Sequence, residues 1–215
     1  MEITDLSPRT QVKRERIHQA AQALFMQQGF EATSMDTIAL AAGVSKPTLY
    51  RYYHNKEALF IAVLEQLAVG HLSSHALLTL RERPVENLSM LEEVLTLWAQ
   101  ETIKHIMHPT YIGLMRLLIA ELPRFPQLGS LFTQAVPQQG GAFLKAILES
   151  ARQHGVIKGD NSELGGRLLV GSLLTYVLGG LLTSEGIAHA PPPERIADLV
   201  QLVLQALASQ ERGRE

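Results

Sequence analysis

No cysteine occurs anywhere in the 215 residues. Its absence excludes disulfides, thiolate catalysis and cysteine-ligated zinc, and it fits a reducing cytoplasm. The chain also lacks a glycine-rich phosphate loop, a GxSxG elbow and an HExxH pair, so no motif points to an enzyme and no cofactor is expected. His71 with His75, and His105 with His108, have metal-ligand spacing on a helix. Without a cysteine or a third carboxylate partner they are expected to be ordinary imidazoles, and no metal site is expected. Long apolar runs are scarce as well. The uncharged stretch Leu168 to Thr183 is sixteen residues and is flanked by Arg167 and Glu185. A bilayer needs about 20 residues, so no membrane span is expected. The opening MEITDLSPRT has acidic residues and no apolar core, unlike a secretory signal. A cytoplasmic protein is the expectation.

What is present is enough apolar content for a real core, 46% of residues, in a length that suits one large or two small domains. The net charge of −2 conceals an asymmetry. From Arg9 to Lys56, seven Lys or Arg face three acidic residues, a local +4; residues 57–215 hold twelve against sixteen, a local −4. A basic head on an acidic body suits a molecule that lays one end on a phosphate backbone.

The basic part contains the most informative segment, TSMDTIALAAGVSKPTLYRYYHNKEALF, from Thr33 to Phe60. It reads as two short helices around a glycine turn, with a third starting behind, which is a helix-turn-helix layout. Thr33 can cap the first helix, with Asp36 approximating a capping box. Gly43 ends that helix, because glycine enters the left-handed conformation at no steric cost. Small Ala39 lets the next helix come close. Ser45 can cap the second helix, and Pro47 falls in its first turn, where a missing N–H costs nothing. At about 100° per residue, Leu49 and Tyr53 share the inward side of Lys46–Tyr53. Lys46, Pro47, Thr48, Tyr50 and Arg51 fall elsewhere. Arg51 suits a bidentate guanine contact, Pro47 and Thr48 a thymine methyl, and Lys46 and Tyr50 phosphate oxygens. Asn55 can cap the third helix, whose amino end with Lys56 offers another phosphate site. Thr33, Tyr52 and His54 complete the expected DNA-facing set.

Over roughly residues 10–64 the chain resembles the TetR/AcrR family of bacterial transcriptional regulators, through AGVS, TLYRYY and NKEALF. The resemblance implies an all-α fold and a homodimer. A three-helix DNA-binding head (residues 10–55) follows a short tail (1–9), and a helical ligand-binding and dimerisation body (56–215) follows the head. It implies a phosphate-contacting role for Tyr50 and Lys56, base reading by Lys46, Pro47 and Thr48, and packing by Tyr53. Many members have glycine at the position of Pro47, so the ring can alter base preference. The function implied is a repressor of a palindromic double-stranded operator, released by a small-molecule effector. A second reading is a helical small-molecule-binding or enzymatic protein whose head no longer reads DNA. The intact caps, the turn and the outward polar residues oppose it.

The rest of the chain keeps helical periodicity without convincing strand alternation. The first helix is predicted from about Thr10 to Gln28, stopped by Gly29, with Arg9, Lys13, Arg14 and Arg16 at its start. Body helices are predicted over Lys56 to about Leu80, Leu88–Met107, Tyr111–Leu122, a short one near Gln127–Gln134, and Gly140–His154. Pro84, Pro109, Pro123, Pro126 and Pro137 serve as breaks. The GLMRLLIAELPRFPQLGSLF region resembles the C-terminal domain of one TetR subgroup. The last two helices, about 161–184 starting from Asp160 or Asn161, and 194–209, are the expected dimer interface. Gly165, Gly166, Gly171 and Gly179 would permit close approach, and Ile196, Leu199, Val200, Val203, Leu204 and Leu207 form an apolar stripe. Candidate effector contacts are Trp98, His105, Tyr111, Met115, Arg116, Phe132, Phe143 and Tyr176, with Met107, His108, Glu121 and Phe125 also available.

Overall fold

The computed structural model describes residues 8–69, 72, 77, 83–157, 162–182 and 190–208, and no strand occurs among them. The helices are α1 (Pro8–Ala32), α2 (Met35–Ala42), α3 (Lys46–Tyr52), α4 (Lys56–Val69), α5 (Leu88–Ile106), α6 (Pro109–Glu121), α7 (Gln127–Gln153), α8 (Ser162–Leu182) and α9 (Pro193–Ala208). Two compact units are formed, Met1–Gln66 with Gly113–Ala135, and Leu67–Ile112 with Val136–Glu215.

In the first unit, α1 turns Ile17, Ala21 and Phe25 inward at helical spacing, and all three are fully buried. Gly29 breaks the helix at φ 82°, a region only glycine enters cheaply. The break swings Phe30 back into an aromatic cluster. Its ring lies 5.8 Å from Phe25, 5.2 Å from Phe60 of α4 and 5.1 Å from Phe125 of the α6–α7 connection. Phe25 and Phe60 meet edge to face at 4.9 Å. Such ring pairs add about 0.5–1.5 kcal/mol each beyond area burial. Arg124 pairs with Glu31 beside the cluster. Residues 113–135 thus join the same core as α1 to α4, through contacts far apart in sequence.

In the second unit, Asn87 caps α5, its side-chain oxygen accepting from the Met90 amide at 2.9 Å. The stripe Ile196, Val200, Val203, Leu204 and Leu207 of α9 is buried within the chain, against α5 and α8, and Leu199 is half-buried. Gln201 donates to Glu92, and Gln100 to the carbonyl of Pro193, along the α5–α9 seam. The stripe expected to meet a partner is therefore spent inside one chain. A Cβ on Gly165 would strike Leu207 at 2.8 Å, which accounts for that glycine by close α8–α9 packing. A Cβ on Gly166 would similarly abut Leu144, whereas one on Gly171 or Gly179 would meet nothing within 4 Å among the described residues.

Two further expectations need correction. Pro137 does not separate two helices: α7 runs unbroken from Gln127 to Gln153. Proline removes one amide and strains one turn. The buried residues on either side, Leu128 and Val136 before it and Phe143, Leu144, Ile147 and Leu148 after it, outweigh that loss. The uncharged core of α8 is also part of a longer apolar helix. Glu163–Leu182, 20 residues, is long and apolar enough to cross a membrane, and 28% of it is buried. The apolar part of α8 is therefore not too short to span a bilayer. Finally, α4 is described to Val69; its predicted extension to Leu80, His71 and His75, and the start at Asp160 or Asn161 lie outside the described residues.

The helix-turn-helix surface

Helix α2 starts one residue later than expected. Ser34 is its cap: the Oγ accepts from the Thr37 amide at 3.1 Å, and Thr37 Oγ1 accepts from the Ser34 amide at 3.1 Å, a reciprocal capping box. Thr33, assigned that role from sequence, is instead buried at 1% exposure, and its hydroxyl donates to the carbonyl of Gly29 at 2.7 Å. The break at Gly29 frees that carbonyl, and Thr33 is the hydroxyl within reach. Ile38, Ala39 and Ala42 face inward, and Gly43 closes the helix at φ 60°, ψ 40°. The amides of Gly43 and Val44 return to Leu40 and Ala39 carbonyls at 3.1 and 3.0 Å. The left-handed backbone requires glycine there, while the Arg16 guanidinium, the movable end of a long side chain, lies where a Cβ would stand.

Ser45 caps α3, its Oγ accepting from the Thr48 amide at 3.3 Å and lying 2.8 Å from the Thr48 hydroxyl. Leu49 is fully buried, and Tyr53 is 7% exposed just beyond the helix end, where its extended backbone stops α3. Both were expected inside. Lys46, Pro47, Tyr50, Arg51 and His54 are exposed, while Thr48 and Tyr52 are half-buried. The Arg51 guanidinium sits 5.5 Å from the Tyr52 ring centre, a cation–π contact that holds it beside α3. Lys46 Nζ is 2.6 Å from Asp36 Oδ2 across the turn.

Two anchoring arrangements were invisible in the sequence. His18 of α1 lies 8% exposed, with its Nε2 2.5 Å from the Tyr53 hydroxyl. Burial, aided by the nearby Arg14 charge, pulls the His18 pKa from 6.5 to about 4, so the imidazole is neutral at pH 7. Arg14, one of the cations at the start of α1, is thereby placed beside the Tyr53 hydroxyl, whose pKa burial raises. Lys56 occupies the start of α4, behind Asn55, whose side chain accepts from the Ala58 amide at 2.8 Å. Its ammonium donates to the carbonyls of Phe30 and Glu31 at 2.6 and 3.1 Å and lies 4.4 Å from the Phe30 ring centre. Partial burial lowers its pKa, opposed by the charges of Glu57, Glu121 and Glu31. Lys56 therefore ties the end of α1 to α4, a task no local pattern announces.

The eight candidate effector contacts are divided between the two units. Met115, Arg116 and Phe132 belong to the first unit, and Trp98, His105, Tyr111, Phe143 and Tyr176 to the second. Trp98, Tyr111 and Phe143 are buried; the other five are half-buried. The Trp98 indole N–H is buried and meets no acceptor among the described residues. Glu121 likewise has a buried carboxylate oxygen without a donor. His105 Nδ1 lies 2.7 Å from the Glu101 carbonyl, and burial raises the Tyr111 pKa. The cavities described are lined by other residues, the largest being a groove of about 640 Å³ between α7 and α8. No group of three or more metal-ligating side chains occurs among the described residues.

An exposed polar helix held on a buried leucine and tyrosine, behind a glycine turn, defines a helix-turn-helix DNA-binding protein. The profile described as bacterial regulatory proteins, tetR family, matches residues 17–63. That of the AefR-like transcriptional repressor C-terminal domain matches residues 93–208. The chain belongs to the TetR family of transcriptional regulators. It is 28% identical over 188 residues to the HTH-type transcriptional regulator UidR of Escherichia coli (strain K12), spanning 86% of this chain and 89% of that one. The crystal structure of a TetR-family regulator from Mesorhizobium loti MAFF303099 superposes with a TM-score of 0.68 at 26% identity, covering 94% and 97% of the two chains. The flavonoid-responsive regulator FrrA matches with a TM-score of 0.60 at 33% identity, covering 92% and 98%.

Proposed function

We propose that the protein is a homodimeric repressor that binds a palindromic operator and leaves it when a small molecule binds the body. The carrying observation is the outward set Pro47, Thr48, Tyr50 and Arg51 above buried Leu49 and Tyr53. Arg51 and Pro47 address base edges. Thr48, its hydroxyl already near Ser45, offers its methyl group to a thymine. Tyr50, Tyr52, His54 and the remaining N–H of Lys56 address phosphates. Ser34 and Thr37, both exposed, replace buried Thr33 at the backbone end of α2. Residues 10–55 are the reader and 56–215 the sensing and dimerising part, with residues 113–135 packed into the reader's own core. The match to a repressor C-terminal domain supports repression. No enzymatic role is proposed, and the chromosome places the work in the cytoplasm.

Dimerisation through α8 is supported by its unpaired apolar face. Leu164, Leu168, Leu174, Leu178 and Leu182 are 44–77% exposed, and Leu202 of α9 is 63% exposed. Gly171 and Gly179 leave room along the same helix. A two-fold partner would cover this face, which is a better account of its leucines than a bilayer, given Glu163 and Arg167 in its first turns. For the effector, the unpaired Trp98 N–H favours an oxygen acceptor on an apolar, partly aromatic molecule. That chemistry agrees with a flavonoid-responsive relative.

The test is a mobility shift with duplex DNA from upstream of the protein's own gene, repeated across a salt series. Palindrome-selective binding that weakens steeply with salt is expected. Binding to no palindrome, or binding indifferent to salt, would defeat the reading. Because Trp98 is the only tryptophan, its fluorescence reports effector binding directly.

A further inference from the structure

Asp36 is the only carboxylate between Thr33 and Lys56, the span that carries the DNA-facing residues. Its Oδ2 lies 2.6 Å from Lys46 Nζ, with both side chains more than half exposed at 57% and 62%. Asp36 is not needed to start α2, because Ser34 and Thr37 already cap each other. An exposed ion pair contributes little to folding stability. The carboxylate is nevertheless well held, since it stands in the first turn of α2, where the helix dipole favours an anion. Its effect falls on Lys46, the first residue of α3.

We infer that Asp36 withholds Lys46 from the phosphate backbone, so that the free recognition surface carries one phosphate contact fewer than its sequence suggests. A phosphate that approaches the ammonium must also approach the carboxylate bound to it. The attraction and the repulsion then largely cancel, and few counterions are released for that contact. Binding to arbitrary DNA depends almost wholly on such contacts. Asp36 therefore weakens the hold on bulk DNA, while base contacts from α3 still choose the operator. The inference rests on the DNA-reading function proposed above, and its test separates the two.

The measurement is the salt dependence of binding to a random-sequence duplex, by fluorescence anisotropy, for wild type, Asp36→Asn, Lys46→Ala and the double variant. Asp36→Asn should steepen the slope of log K against log salt by about 0.9, one additional phosphate, and bind about fivefold tighter at about 0.15 M salt. In the Lys46→Ala background the same change should leave the slope where it was. An unchanged slope for Asp36→Asn overturns the inference, and so does an equal increase with Lys46 already gone, since Asp36 would then act as a general negative charge. Wild-type protein that binds no duplex at all overturns the DNA-reading function, and this inference with it.

Discussion

At the level of single residues, the recognition helix depends on side chains that never reach its surface. His18 is held neutral against the Tyr53 hydroxyl, so protonating it requires either a charge in the core or local opening. Its folded pKa, about 4, is below the unfolded 6.5. The unfolded chain therefore takes up the proton more readily, and stability must fall as pH drops through the window between those values. From pH 7 to pH 5 the loss is on the order of 2 kcal/mol. Urea unfolding at both pH values should show it, and His18→Phe should remove most of the difference; an equally steep profile in the variant would refute the assignment. The outward residues divide differently. Arg51→Ala should relax base preference at one operator position at about 1–3 kcal/mol, whereas Tyr50→Phe should weaken all sequences alike. A binding series over single-base operator variants distinguishes the two, and a uniform loss for Arg51→Ala would contradict its base-reading role.

At the scale of elements, helix ends decide what holds. Ser34→Ala removes the hydroxyl that accepts from the Thr37 amide, one half of the α2 capping box, and should cost about 1 kcal/mol in unfolding free energy. Thr37→Ala should cost a similar amount, and the double variant less than the sum, because the two hydroxyls serve one arrangement. Strict additivity in chemical denaturation would mean that the box does not act as a unit. The carboxyl end of α2 and the starts of α3 and α4 were legible from sequence because Gly43, Ser45 and Asn55 act on backbone three or four residues away. The one-residue error at Thr33 has the same origin: two adjacent hydroxyls look alike locally, and only the break at Gly29 assigns Thr33 to a different carbonyl. The continuity of α7 through Pro137 was not legible, since proline is a local signal and the burial that overrides it is not. Lys56 bonded to carbonyls of Phe30 and Glu31, and Arg124 paired with Glu31, lie still further from any sequence pattern. The α9 stripe was legible as buried, but periodicity names no partner, and its partners proved to be α5 and α8 of its own chain.

For the whole molecule, the question is what the leucines left outside α8 are for. A face bearing Leu164, Leu168, Leu174, Leu178 and Leu182 is costly to leave in water, at about 25 cal/mol for each Å² of apolar surface that could be covered. A second copy placed on it by a two-fold axis would also set two α3 helices against one duplex, which must present them about 34 Å apart to meet successive major grooves. Dimerisation and DNA reading are then coupled. Replacing Leu178 by Glu puts a charge into the middle of that face without touching the buried stripe of α9. The variant should keep its helical circular dichroism, sediment as a monomer, and lose about 10²- to 10⁴-fold in affinity for a two-half-site operator while binding a single half-site as wild type does. If Leu178→Glu stays dimeric, or if its half-site affinity falls as far as its full-site affinity, the face on α8 is not what joins the two copies.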